Sequence, residues 1–251
     1  MDSMLLALQE LKDKQDAEKR GIFYSMKTGQ NWLYVVANPA DALPIKVRKK
    51  HGLRICRKHT NGERCYGCEA VADARRRGNE AFAKKWNAKD RGYFWAVPKS
   101  VLKDKQKAGE ELTLEDVKLV EVSGGVQKDI VSQILAMRRN PFRPDDMQCL
   151  CITRVETGDQ FKYKYTASFG EETDMSSMIT TEFLSQIPLL DEQQALQAAS
   201  NEDIRTHMEG GDGKDKPRRQ RTVDTSEFDE ESAGQSGSGL QDADDGEDLP
   251  F

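Results

Sequence analysis

No stretch of this chain approaches the ~20 consecutive apolar residues of a membrane-spanning helix. The first residues also lack the basic, apolar and cleavage regions of a secretory signal peptide, so a cytoplasmic protein is expected. A disulfide framework is not expected either. The five cysteines are odd in number and mostly clustered, a pattern that favours metal binding in a reducing compartment. A phosphate-binding loop is missing too. Ser123-Gly-Gly-Val-Gln-Lys lacks the closing Gly-Lys-Ser/Thr and reads as a turn entering a helix. The acidic pairs Asp145-Asp146 and Glu171-Glu172 are adjacent residues, which point apart on a strand. No base–nucleophile set stands out, and a protein without catalytic activity is expected.

The sharpest absence is at the end of the chain. Residues 222–251 contain ten acids and no Lys or Arg, and they finish on Asp-Leu-Pro-Phe. Such a segment cannot bury enough apolar surface to offset its ordering entropy, so a disordered acidic tail is expected. Leu249, Pro250 and Phe251 sit at the free carboxylate behind Asp244, Asp245 and Asp248. An exposed Phe there suits a partner offering a hydrophobic slot ringed with positive charge. This terminus resembles the tip of bacterial single-stranded DNA-binding proteins, whose acidic tails end in Pro-Phe and dock replication and repair enzymes. The resemblance implies a polymerase, helicase or nuclease as partner.

The net charge of −5 conceals a polarity, because residues 1–110 carry 24 basic against 13 acidic residues. A front half this basic points to an anionic partner. Its length of 251 residues allows one substantial core with appendages.

Periodicity predicts a helix over residues 3–19, capped by Ser3 with Leu5, Leu8 and Leu11 on one face. Strands are predicted over 22–25, 31–37, 43–48, 93–97 and 117–122, and helices over 68–87 and 126–139. Segments 148–155 and 160–167, joined by Thr157-Gly158-Asp159, read as a β-hairpin. Peripheral helices are expected over 181–190 and 191–207, and a Gly-rich stretch at 210–213 opens the tail. Short, non-identical strands with helices between them suit an α+β, mostly β fold built on a small barrel of the oligonucleotide-binding (OB) type, and equally permit other mixed α/β sheets. The expected division is an N-terminal helix over 1–20, a core over 21–207 with a metal subdomain at about 48–90, and a linker and tail over 208–251.

His51, Cys56, Cys65 and Cys68 lie within eighteen residues. Three thiolates and an imidazole form the four-coordinate set that structural zinc prefers. The Cys65-Tyr-Gly-Cys68 spacing makes a tight knuckle, with Gly67 easing its turn. His59 is the alternative fourth ligand. His51 is preferred because a ligand ending a strand would tie the loop to the sheet. A closed set leaves no open position for catalysis, so one structural Zn2+ is expected.

The order of motifs from Phe23 to Cys68, with Lys27-Thr-Gly-Gln-Asn-Trp-Leu before the first long strand and His51-Gly before the cysteines, resembles the helix-destabilising single-stranded DNA-binding proteins of T-even phages. The resemblance extends over about residues 20–170. It implies an OB barrel decorated by a His-Cys-Cys-Cys zinc site, with His51 as the histidine. The family's basic N-terminal arm for self-contact on DNA has no clear counterpart beyond Lys19-Arg20.

Strand binders combine a cationic track with aromatic faces for stacking. Candidate cations are Lys46, Arg48, Lys49, Lys50, Arg54, Arg57, Lys58, Arg64 and Arg91, with Arg138, Arg139 and Arg143 around Phe142 as a further patch. Candidate stacking faces are Trp32, Tyr34, Tyr93, Tyr163 and Tyr165, the last two alternating with Lys162 and Lys164. About half of these aromatics are expected in the core, and Trp95 above all. Cys149 and Cys151 are expected to be small buried hydrophobes.

The function expected is non-sequence-specific coating and protection of single-stranded DNA in phage replication, recombination and repair, with partner recruitment through the tail. A zinc-bearing adaptor, or an accessory protein to a nuclease or primase, is the alternative.

Overall fold

A computed structural model describes residues 21–157 and 163–210. The predicted N-terminal helix, the hairpin turn and the acidic tail lie outside them. The elements are β1 (Gly29–Val36), β2 (Lys46–His51), β3 (Arg54–Ile55), α1 (Arg57–Asn61), α2 (Tyr66–Arg76), α3 (Glu80–Trp86), β4 (Lys89–Pro98), α4 (Lys99–Ala108), β5 (Lys118–Ser123), α5 (Gly124–Met137), β6 (Met147–Glu156), β7 (Tyr163–Thr173), α6 (Thr181–Gln186) and α7 (Asn201–Met208). No helix among the described residues is long and apolar enough to cross a membrane.

The sheet is built around β4. One edge of β4 carries β2 along Lys89–Tyr93 and β1 along Trp95–Pro98; the other carries β5 along Arg91–Ala96, all antiparallel. β1 continues to β6 and β6 to β7, giving the path β3-β2-β4-β1-β6-β7 with β5 branching from β4. The inner run β5-β4-β1-β6-β7 would need a β5–β7 ladder to become a barrel. Among the described residues there is none, so the sheet is open. Along that seam α5 packs on β4, β5 and β7, and Gln133 donates a hydrogen bond to the Ala167 carbonyl at 2.9 Å.

Both faces of the sheet are covered, which is why its central strands read as unbroken apolar runs. Side chains alternate along a strand. Tyr34, Val36, Tyr93, Trp95, Val97 and Leu119 therefore enter one core with Leu102 of α4, Phe183 of α6 and the strap residues Ile187, Leu190 and Leu196. Leu33, Val35, Phe94, Ala96, Val120, Val122, Leu150 and Ile152 enter another, against Val126 and Ile130 of α5.

Several expected elements differ from those observed. The single helix over 68–87 is two, because Gly78 adopts φ +73 and stops α2, while the Asn79 side chain caps α3 by accepting from the Phe82 amide. α4 has no counterpart among the expected elements: Pro98 ends β4 but also precedes a helix of good formers that buries Leu102 and closes on left-handed Gly109. The expected 191–207 helix is instead a strap with a 3-10 turn at Gln194–Leu196, which brings Leu190 and Leu196 into the core before Ser200 caps α7 over Asn201–Met208. Residues 22–25 form only one bridge, Phe23 to Leu119, on the free edge of β5.

Asn31 fixes that edge. Only 2% exposed, its carboxamide accepts from the Tyr24 hydroxyl (3.2 Å) and the Lys27 amide (2.9 Å), and donates to the carbonyls of Lys27 (2.9 Å), Gly29 (3.1 Å) and Ile152 (3.1 Å). Removing it strands buried partners. Asn31→Ala should cost about 2–4 kcal/mol, read as a lowered urea midpoint with an unchanged denaturant slope.

Candidate functional site

His51 ends β2, Cys56 follows β3 as the N-cap of α1, Cys65 is the N-cap of α2 and Cys68 lies in its first turn. Their ligand atoms all fall within 4.8 Å of one another. Cys56 Sγ is 3.7 Å from Cys65 Sγ and 3.5 Å from Cys68 Sγ, and His51 Nε2 is 3.7 Å from Cys65 Sγ and 3.5 Å from Cys68 Sγ. A tetrahedral ion with metal–sulfur bonds of about 2.3 Å and metal–nitrogen bonds of about 2.0–2.1 Å has sulfur–sulfur edges near 3.8 Å and sulfur–nitrogen edges near 3.5 Å. The four residues fit a metal ion such as zinc. His59 is not part of the set.

The surroundings prepare these groups for an ion. Trp86 of α3 accepts from His51 Nδ1 at 2.7 Å, which fixes the ring with Nε2 directed at the thiols. Cys65 is held far below the usual thiol range by the Cys56 S–H bond, with the His51 ring and the amides of Cys68 and Arg57 adding to it. Cys56 moves in the opposite direction for the same reason, the pair sharing one proton. Burial works against a charged His51 ring, yet its bonds to Cys65 and the Trp86 carbonyl outweigh burial and raise its pKa.

Gly67 has a different role from the one its sequence position suggests. It sits within helix α2, and a Cβ there would lie 2.7–2.9 Å from three atoms of the His51 ring. The glycine makes room for the imidazole. Around the cluster, Val71, Ala74, Ala83 and Trp86 pack with Ile204 and Met208 of α7. The His207 ring meets Trp86 edge-on at 5.3 Å, and Asn201 accepts from the Tyr66 amide at 2.8 Å. The sequence marks α7 only as part of a peripheral helix; the structure makes it a wall of the metal module.

The candidate nucleic-acid residues divide into three groups. Tyr34 (3% exposed), Tyr93 (1%) and Phe142 (8%) are core residues and present no face to a ligand; each lies where both sheet faces are covered. Trp95 is buried as expected, donating to the Pro188 carbonyl at 2.9 Å. Trp32 is half-buried against Gly170, with the Lys99 ammonium 5.0 Å from its ring. Lys162 falls outside the described residues.

Most of the cations meet acids of the protein itself. Asp191 bridges Lys46 (2.6 Å) and Arg48 (2.7 Å), whose hydrogen bonds hold its carboxyl below the usual carboxylate range. Glu121 takes Lys50 (2.9 Å) and Arg91 (3.5 Å). Lys49 approaches Asp90 at 3.9 Å, Arg57 pairs with Glu63, Arg64 with Glu69, Arg139 with Asp146 and Glu172, and Arg143 with Asp145. Arg138 is the left-handed C-cap of α5, with φ 55. Arg54 is half-buried on β3, while Lys58 and Lys164 are exposed. The solvent-exposed pairs among these contribute ~0–1 kcal/mol each.

One place gathers cations and an aromatic. At the β5–β7 seam, Met26, Arg91, Glu121, Val122, Ser123, Val126 and Tyr165 line a cleft of about 250 Å³. Beside it, Arg154 donates to the Met26 carbonyl at 2.6 Å and lies 3.6 Å from the centre of the half-exposed Tyr163 ring. The sequence reading singles out Arg91, Tyr163 and Tyr165 but misses Met26, Glu121 and Arg154. Arg154 is legible as a cation two residues from Ile152 on the same strand face as Tyr165; nothing in the sequence marks Met26.

No protein-family model matches the chain, and no curated protein resembles it closely enough in sequence to count as a relative.

Gly67→Ala should weaken metal binding about 10–100-fold, the range for disturbing a ligand's support, as measured by competition with a chromogenic chelator. Affinity should also fall as pH drops, because protons compete for the three thiolates and the imidazole.

Proposed function

We propose that the protein binds single-stranded DNA without sequence specificity, through the seam between β5 and β7, and that a structural zinc ion holds its cationic loop in place. The observation that carries this reading is the cleft itself. Arg91 and Tyr165 line it, the Lys50 ammonium bonds Glu121 at its edge, and the Arg154–Tyr163 stack stands beside it. Cations beside stacking faces are what an unpaired polynucleotide requires, each stack contributing ~1–3 kcal/mol.

The strand order supports an OB-type reading of the fold. The run β5-β4-β1-β6-β7, with a helix between β5 and β6 at the unclosed seam, is an OB barrel's order short of its last ladder. In such barrels oligonucleotides lie between the loop joining the first two strands and the loop joining the last two. Here the first of these loops, the connection from β1 to β4, carries all four candidate metal ligands, and the second is the β6–β7 connection. His51 belongs to β2, the strand that also bears Lys46, Arg48 and Lys50. An ion at the cluster therefore anchors the end of the cationic strand.

The role proposed is passive: the protein coats exposed strands, protects them and disfavours reannealing during replication, recombination and repair. The acidic tail, ending in Leu249-Pro250-Phe251, competes with DNA for the cations and recruits a partner enzyme once displaced. Three reduced thiols around an ion require a reducing compartment, so the cytoplasm is the proposed location.

Titrating oligo(dT) into the full chain should quench Trp fluorescence, with affinity falling steeply as salt rises. Absence of binding in dilute buffer would overturn the reading. Deleting residues 222–251 should tighten binding at low salt, and affinity unchanged or weaker would remove the tail from the competition. Phe251→Ala should abolish partner capture while leaving DNA affinity intact.

A further inference from the structure

The seam cleft is too small to hold a length of sugar-phosphate chain. Its volume of about 250 Å³ falls below the roughly 300–1,000 Å³ of pockets for drug-sized ligands. That is room for one flat heterocycle. Met26, Val122, Val126 and Tyr165 supply apolar surface, while Arg91, Glu121 and Ser123 supply the polar side. The Glu121 carboxylate offsets one of the two cations beside it: Lys50 Nζ bonds both Glu121 oxygens at 3.2 and 2.9 Å, and Arg91 Nε approaches one at 3.5 Å. A phosphate entering the cleft would face the Glu121 carboxylate. A neutral base would meet no such repulsion.

We infer that this cleft accepts one unstacked nucleobase of a bound strand, and that Glu121 with Ser123 reads its hydrogen-bonding edge in favour of bases carrying an exocyclic amino group. The inference rests on the strand-binding reading above and adds a base preference to it. An ionised carboxylate offers about four lone-pair sites and no donor. Lys50 donates to both oxygens and Arg91 pairs with one at 3.5 Å, which still leaves the carboxylate acceptor capacity for a ligand's N–H. The amino group of cytosine is a known donor to Glu. Guanine presents an imino and an amino donor side by side, matching an acceptor next to a hydroxyl that can also accept. Thymine flanks its single N–H with two carbonyl oxygens, which a carboxylate repels.

Tyr165 forms one wall, against which the base lays its π-face. Tyr163 lies two residues earlier on the same strand face, with the Arg154 guanidinium behind its ring at 3.6 Å. A guanidinium stacked on one side of a tyrosine leaves the opposite side as a fixed platform for the neighbouring base. The phosphates between the bases stay at the rim.

The test uses the full chain and oligonucleotides of about eight residues, within the span one such module covers. All-thymidine DNA is compared by fluorescence anisotropy with versions whose central residue is guanosine, cytidine or abasic. The guanosine version should bind about 10-fold tighter than all-thymidine, equivalent to about 1.4 kcal/mol. The cytidine version should fall between them, and the abasic version should be weakest. Glu121→Gln should narrow the guanosine-to-thymidine ratio to less than about 2-fold. Equal affinity of the wild-type chain for the guanosine, cytidine and thymidine versions overturns the base-reading inference but leaves strand binding standing. A preference that survives Glu121→Gln overturns the role of Glu121 and with it the inference. Failure to bind any of the oligonucleotides overturns the strand-binding reading itself.

Discussion

The imidazole of His51 is the joint between two parts of this protein. It ends the strand β2, offers Nε2 to the thiols at 3.5 and 3.7 Å, gives its other nitrogen to the Trp86 carbonyl, and lies flat on Gly67. Strand, knuckle and α3 thus converge on one ring 1% exposed to solvent. A buried imidazole must have both nitrogens satisfied, and only the observed arrangement of β2, α2 and α3 provides both partners. The helical module has little apolar core of its own, with mainly Val71, Ala74, Ala83 and Trp86 buried by its helices. The polar junction supplies what the small core lacks.

The same strand carries a run of basic residues, so the metal cluster and the cationic track share a backbone. Lys46, Arg48 and Lys50 alternate with Val47, Lys49 and His51, which places three basic side chains on one face and Lys49 with the candidate metal ligand on the other. Their partners Asp191 and Glu121 come from distant parts of the chain and hold the long side chains extended. Such pairs add little stability. Their effect is geometric: they keep charges ordered that would otherwise sample many rotamers.

The metal set is legible in the sequence because its signal is local. Three cysteines and a histidine fall within eighteen residues, two of them in a Cys-x-x-Cys knuckle, and a segment this polar has no core in which to bury them separately. Central strands are legible for a similar reason: Trp32-Leu-Tyr-Val-Val and Tyr93-Phe-Trp-Ala-Val have no polar face to mislead. What stays hidden depends on residues far apart in sequence. Whether Tyr93 stacks on a base or fills the core depends on α4 and the strap 188–196, and no periodicity in β4 reveals them. The split at Gly78 is written in the sequence, yet the Ala-rich and charged residues around it dominate a helical reading. Gly67 looks like a turn residue, but its purpose lies sixteen positions earlier, in His51.

The chain closes its metal module with α7, well over a hundred residues after Cys68. Ile204 and Met208 are 0% and 6% exposed, and both pack into the module's core. During synthesis the four ligands leave the ribosome long before this cover does, and the cover is worth roughly 1.5–3 kcal/mol for each of its two large apolar side chains. A nascent chain halted before residue 201 therefore exposes a half-roofed thiol cluster to water and to competing ions. An ion held at that cluster would gain its full cover only among the last events in the birth of the molecule.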